Sequence, residues 1–179
     1  MRGMAEPHIM IMGVGSILMT DEGFGVRVIE ALEQQYEFPE NVSVVDGGVL
    51  GLNLLGVIAE ADHLIVVDAV RNKGNPGDLY RLTGQAIPDR VRAKNSLHQI
   101  DFLETLTLCQ AVGEVPETIV LGVEPEDIDS LSVELTSTIK ERIDPVIEMV
   151  LDELRRLGTA YKPKTAAENT DQGVSESSK

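Results

Sequence analysis

Asp21 and Glu22 stand side by side in a glycine-rich turn, Gly13-Val14-Gly15-Ser16-Ile17-Leu18-Met19-Thr20-Asp21-Glu22-Gly23-Phe24-Gly25-Val26. A turn of this kind ordinarily cradles a phosphate with backbone N–H groups and the positive end of a helix. Two adjacent carboxylates oppose that ligand and suit a cation or a proton. Other groups of the same chemistry follow at intervals. Asp46 precedes Gly47-Gly48, Asp68 closes the apolar run Leu64–Val67, and Glu124 follows Thr118–Val123. His98 lies in Asn95-Ser96-Leu97-His98-Gln99. Two carboxylates and one imidazole form a three-ligand site for a borderline divalent cation such as Ni²⁺, Zn²⁺ or Fe²⁺, with positions left open.

Each residue also has an ordinary role to weigh. Asp21 or Glu22 can cap a helix, where a carboxylate is favoured. Asp46 before two glycines suits a turn, and a lone His98 suits a surface or capping position. Asp68 is harder to explain that way, because a carboxylate ending an apolar strand is costly unless it is paired or used. His8 and His63 come just before strands, on the opposite rim, and read as structural.

The elements that hold these residues alternate. Ile9–Val14 reads as a strand, Gly23–Tyr36 as a helix, Val42–Val45 as a strand, Leu50–Ala59 as a helix, and Leu64–Val67 as a strand. Near-continuous Ile, Val and Leu in the first and third strands indicate burial on both faces, as in a parallel sheet. Asn72-Lys73-Gly74-Asn75-Pro76-Gly77 is a loop by composition. Asp78–Leu82 is a short strand toward an edge, 84–98 is irregular, Ile100–Val112 is a helix and Thr118–Val123 the last strand. Glu134–Leu157 carries a long amphipathic pattern that Pro145 is expected to kink or restart, with Asp144 as a candidate N-cap. The order predicts an α/β three-layer sandwich: a mostly parallel, twisted sheet of about five strands flanked by helices. Residues 1–160 are read as one domain and 161–179 as a disordered polar tail. In open parallel sheets ligands bind just outside the carboxyl ends of the strands. Asp21, Glu22, Asp46, Asp68, Glu124 and His98 all fall on that rim.

The chain has 179 residues, 15 basic against 30 acidic, for a net charge of −15. Such a surface repels nucleic acid and anionic lipid, so neither is expected as a partner. The single cysteine, Cys109, rules out an internal disulfide and fits a reducing compartment. It falls in the apolar stripe of a predicted helix and reads as a small core residue. The first apolar run lacks a basic start, and the uncharged stretches fall short of the roughly 20 residues of a membrane span. A soluble, cytoplasmic protein is expected.

Dinucleotide binding competes for the glycine-rich turn. Gly13-x-Gly15 is present, but the third glycine of G-x-G-x-x-G would be residue 18, which is Leu. There is no G-x-S-x-G elbow, CxxC pair, HExxH helix or basic stripe.

The run from Gly13 to Val26 resembles the opening motif of the hydrogenase maturation endopeptidases, which process the large subunit of [NiFe] hydrogenases. Asp46-Gly47-Gly48, His63-Leu64-Ile65-Val66-Val67-Asp68-Ala69, Ser96-Leu97-His98-Gln99 and Leu121-Gly122-Val123-Glu124-Pro125 resemble its later motifs, in order and at similar spacing. Ser16 departs from the family's usual Asn, and Val49 from its usual Thr. The resemblance spans residues 8–160. It implies a cytoplasmic peptidase that removes a short C-terminal extension from the large-subunit precursor once nickel is inserted. It also implies that Glu22, Asp68 and His98 contact that nickel, for which another divalent cation can substitute in the isolated protein. Glu22, Asp68 and His98, with Asp46 as a further candidate, are then the expected catalytic residues, acting through an activated water. The alternatives are a metal-responsive assembly chaperone without catalytic activity and a dinucleotide-binding oxidoreductase.

Overall fold

The computed structural model describes residues 5–48, 54–84 and 116–165. Strand β1 (Ile9–Gly13) leads through a 3₁₀ turn (Thr20–Gly23) into helix α1 (Phe24–Gln35). There follow β2 (Tyr36–Glu37), β3 (Val42–Asp46), α2 (Leu54–Ile58), β4 (His63–Ala69), β5 (Leu79–Thr83) and β6 (Glu117–Val123). The chain closes with α3 (Ser137–Lys140), α4 (Ile143–Arg156) and β7 (Lys162–Pro163). Cys109, the expected helix Ile100–Val112 and the first half of the expected helix Leu50–Ala59 lie outside the described residues.

The central sheet has five strands in the order β3-β1-β4-β6-β5. The first four are parallel, and β5 runs antiparallel to β6 at the edge. The alternation of side chains divides β1 and β4 between two cores. Ile9, Ile11, Ile65, Val67 and Ala69 pack with Phe24, Val28, Leu32, Ile147 and Leu151 on the α1/α4 face. Met10, Met12, Leu64 and Val66 pack with Ile58, Val70, Leu82 and Val120 on the other. Burial on both faces explains why these strands read as unbroken apolar runs. Fully buried side chains of this size each contribute about 1.5–3 kcal/mol, so α1 is held by Phe24, Val28, Ile29 and Leu32 rather than by caps. Indeed its N-cap, Gly23, provides no side-chain hydrogen bond.

The sequence and the structure differ in three places. The long amphipathic pattern restarts near Pro145 as expected, but the break falls slightly earlier, at Glu141 and Arg142, giving two helices. Arg142, not Asp144, holds the N-cap position, and Asp144 and Pro145 fall in the first turn of α4. There the missing proline N–H has no intrahelical partner to lose, and the carboxylate faces the positive end of the helix. Strand β4 continues past Val67 to Ala69, so Asp68 is its penultimate residue. Finally, residues 161–165 do not leave the domain as a tail. β7 pairs antiparallel with β2, Lys164 N–H donates to Gln35 O (2.8 Å), and the Tyr161 ring meets Tyr36 edge-on at 5.6 Å. Residues 166–179 lie outside the described residues.

The edge strand is tied down by charge. Arg81 donates through Nε to Glu153 Oε1 (2.5 Å) and through a terminal nitrogen to Oε2 (3.2 Å), joining β5 to α4. Glu153 is 3% exposed, so its carboxylate depends on this fork, and in return it raises the Arg81 pKa. Among the described residues, Arg81→Met leaves the buried acid with Arg156 at 3.3 Å. The expected loss is about 2 kcal/mol of stability, read as a lower urea midpoint at constant slope. An unmoved midpoint would show the pair to be dispensable. Among the described residues no helix is long and apolar enough to cross a membrane.

Candidate functional site

The strand order creates the site. From β1 the chain crosses to β3 on one side, then returns past β1 to β4 on the other. The carboxyl ends of β1 and β4 therefore flank a topological switch point, the crevice where open α/β sheets bind ligands. Glu22 is carried there by the turn that follows β1, and Asp68 by the end of β4. Both are 7% exposed. The 3₁₀ turn packs directly against β4, so the two residues share one edge although 46 positions (68 − 22) separate them.

Glycine makes this closeness achievable. Gly15 has φ +125°, and a Cβ there would lie 1.8 Å from Glu22 O. The backbone must turn through a conformation that L side chains avoid, and it must do so against the segment bearing Glu22. A Cβ on Gly25 would lie 2.2 Å from Val67 O. The first turn of α1 thus lies on the sheet backbone itself, one residue from Asp68.

Asp21 is not the helix cap that its position suggests. It is fully buried, and its carboxylate reaches across the molecule to the loop 126–136. Oδ2 accepts the N–H groups of Glu126 (3.0 Å) and Asp127 (2.9 Å); Oδ1 accepts the Thr136 N–H (2.8 Å). The Thr136 hydroxyl donates to the same carboxylate. In return the Asp21 N–H donates to Asp127 O (3.0 Å). Thr20, in left-handed conformation at φ 48°, adds a hydroxyl bond to Ser130 O (2.7 Å) and an N–H bond to Ser132 O (2.9 Å). Within the loop, the Asp127 carboxyl is held below the usual carboxylate range by the Ser130 hydroxyl, then by the N–H groups of Ser130 and Asp129.

Glu124 is likewise committed to structure. Its Oε2 accepts the Asn72 N–H (2.7 Å) and the Tyr80 hydroxyl (2.8 Å), fastening the loop between β4 and β5. Asp46 is exposed and accepts the Gly48 N–H (2.9 Å), the behaviour of a turn residue. His8 bonds Glu60 O and the Ser43 hydroxyl, and His63 faces Glu117 at 3.5 Å, both on the far rim as expected. His98 lies outside the described residues. Among the described residues no three His, Cys, Asp or Glu side chains form a group able to hold a metal ion.

Fold and strand order together define an open α/β protein with two buried acidic residues, Glu22 and Asp68, at the carboxyl edge of its switch point. The sequence model for "hydrogenase maturation protease" matches residues 26–153. The hydrogenase 2 maturation protease of Escherichia coli K12 is 41% identical over 161 residues, covering 89% of this chain and 98% of that protein. The hydrogenase expression/formation protein HupD of Thiocapsa roseopersicina is 40% identical over 160 residues, 88% of this chain and 72% of its own. The solved structure of the hydrogenase maturating endopeptidase HybD from E. coli superposes with a TM-score of 0.83 at 40% identity, covering 88% of this chain and 98% of that one. The chain belongs to the hydrogenase maturation protease family. It is a peptidase, and its role lies in hydrogenase maturation.

Proposed function

We propose that this peptidase removes a C-terminal extension from the precursor of a [NiFe] hydrogenase large subunit after nickel insertion, and that it uses the inserted nickel as its recognition element. The burial of Glu22 and Asp68 at one switch point supports this reading most directly. The nickel belongs to the substrate. Two carboxylate oxygens and the imidazole of His98 match the preferences of a borderline divalent ion. Their contact with it fixes the precursor so that the scissile bond lies beside the site, which is catalysis by placement.

Hydrolysis then proceeds by attack of a water molecule, with Asp or Glu as general base. Glu22 and Asp68 are the nearest candidates, and Asp46, on the neighbouring strand end, is the third. The chain offers no sequence signature of a covalent nucleophile. The reaction takes place in the cytoplasm, with the large-subunit precursor as partner and neither nucleic acid nor membrane taking part.

The test is mass spectrometry of the precursor's C-terminus after incubation with the purified protein, nickel-loaded and nickel-free precursor side by side. Cleavage of the loaded form alone is the expected result. Equal cleavage of both forms would overturn recognition through nickel and leave a general-base peptidase. Stable binding without cleavage of either would favour an assembly chaperone.

A further inference from the structure

The turn that carries Asp21 and the loop its carboxylate holds both display apolar side chains to solvent. Ile17 is 40% exposed, Leu18 58%, Val133 52% and Leu131 82%. Single exposed apolar residues are common on protein surfaces, but a contiguous group beside a site marks an interaction surface. Backbone pairing sets the two most exposed of them side by side, with Ile17 and Val133 adjoining in sequence. Ser132 N–H donates to Leu18 O (3.0 Å) and Thr20 N–H to Ser132 O (2.9 Å), so Met19 and Ser132 pair in parallel. That register sets Leu18 alongside Leu131, each one residue before the bridge.

The pad is rigid. Besides the bridge, the Asp21 carboxylate, the Thr20 hydroxyl and Arg27, which donates to Val133 O (3.0 Å), all anchor it. A firmly anchored loop that nevertheless shows leucine to water is preorganised for a partner, because little ordering cost remains at binding. Its surroundings are acidic: Glu126, Asp127, Asp129 and Glu134 outnumber Arg27 and Arg71. A second copy of this chain, also at −15, would meet like charge there. The pad also continues into the site. Glu22 N–H donates to Met19 O (3.1 Å), and a Cβ on Gly23 would lie 3.0 Å from Ile17 Cα.

We infer that the Ile17–Leu18 and Leu131–Val133 pad docks the substrate polypeptide, seating an apolar segment flanked by basic residues next to the cleavage edge. This inference rests on the peptidase reading for its choice of substrate. Its test uses the full chain and the nickel-loaded large-subunit precursor. L18D/L131D is expected to raise KM about tenfold or more with kcat unchanged, while the unfolding temperature stays that of the wild type. L131S, milder in shape and charge, is expected to raise KM by a smaller factor in the same direction.

Binding is read separately by surface plasmon resonance in an Asp68→Asn background, where L18D/L131D is expected to weaken Kd by the same factor. If the wild type binds the precursor without cutting it, the peptidase reading fails, and loss of binding in the double variant still upholds the pad. Unchanged KM and Kd would overturn the inference. So would sedimentation showing a wild-type dimer that the double variant breaks, which would assign the pad to self-association.

Discussion

Asp68→Asn is expected to lower processing of the nickel-loaded precursor by a hundredfold or more while the protein stays folded. The substitution removes a charge and leaves the shape almost unchanged. Asp68 sits one residue from the end of β4, paired there with Gly122 of β6 and 7% exposed, so the side chain has little freedom to find another position. If the carboxylate is a fixed contact to the precursor's nickel, its loss displaces the scissile bond, and misplacement on the scale of an ångström costs about a hundredfold. Unprocessed, nickel-loaded large subunit is expected to accumulate, counted by mass spectrometry, while the melting temperature moves by no more than about 3 °C, or roughly 1 kcal/mol. Asp46→Asn is the comparison. Its exposed side chain accepts one N–H from Gly48, a role the amide oxygen of Asn also fills, so a much smaller effect is expected. Wild-type turnover by the Asp68→Asn protein would remove this residue from the site.

The largest expected loss of stability is at Asp21. Asp21→Ala strips the acceptor from three N–H groups and one hydroxyl, at Glu126, Asp127 and Thr136. Buried donors without partners cost about 1–3 kcal/mol each. With some relief as the loop relaxes and water enters, the total is about 3–5 kcal/mol, a fall in melting temperature of about 10 °C for a chain of this size. Asp21→Asn retains one oxygen and is expected to lose much less. Calorimetry separates the two variants. Equal melting temperatures for Asp21→Ala and the wild type would show that the loop is held by other contacts.

The frame of this fold is legible in the sequence because hydrophobic burial leaves a local mark. Ile9–Gly13 and His63–Ala69 are buried on both faces and read as unbroken apolar runs, and a parallel sheet follows from that. Asp68 stood out for the opposite reason, since a carboxylate at the end of a buried strand is costly unless it is paired or used, whereas Glu22 was set apart from Asp21 by the family resemblance. Other features leave no such mark. Asp21 resembles a helix cap because its true partners are 105 to 115 residues away, and no local pattern encodes a contact of that range. The break between α3 and α4 is marked in the sequence by Pro145 alone, because Leu135, Ile139, Ile143 and Ile147 keep a four-residue spacing straight through it. β2 and β7 have two residues each, too few for any periodicity. Leu131, in the run Asp129-Ser130-Leu131-Ser132-Val133-Glu134, reads as one apolar residue in a polar loop until the parallel bridge places Leu18 beside it.

The pairing of β2 with β7 bears on how the molecule can be handled. Helix α1 begins at the site and runs 12 residues, about 18 Å, before β2 begins. β7 is clasped there, with Lys164 bonded to Gln35 O and Glu33 O. His8, just ahead of β1, lies on the same far rim, hydrogen-bonded to Glu60 O. His8 and the β2–β7 pair therefore both lie at the end of the molecule opposite the edge that carries Glu22 and Asp68. A fluorophore attached at exposed Lys162 sits behind the enzyme, and a bulky precursor can approach the front without meeting it.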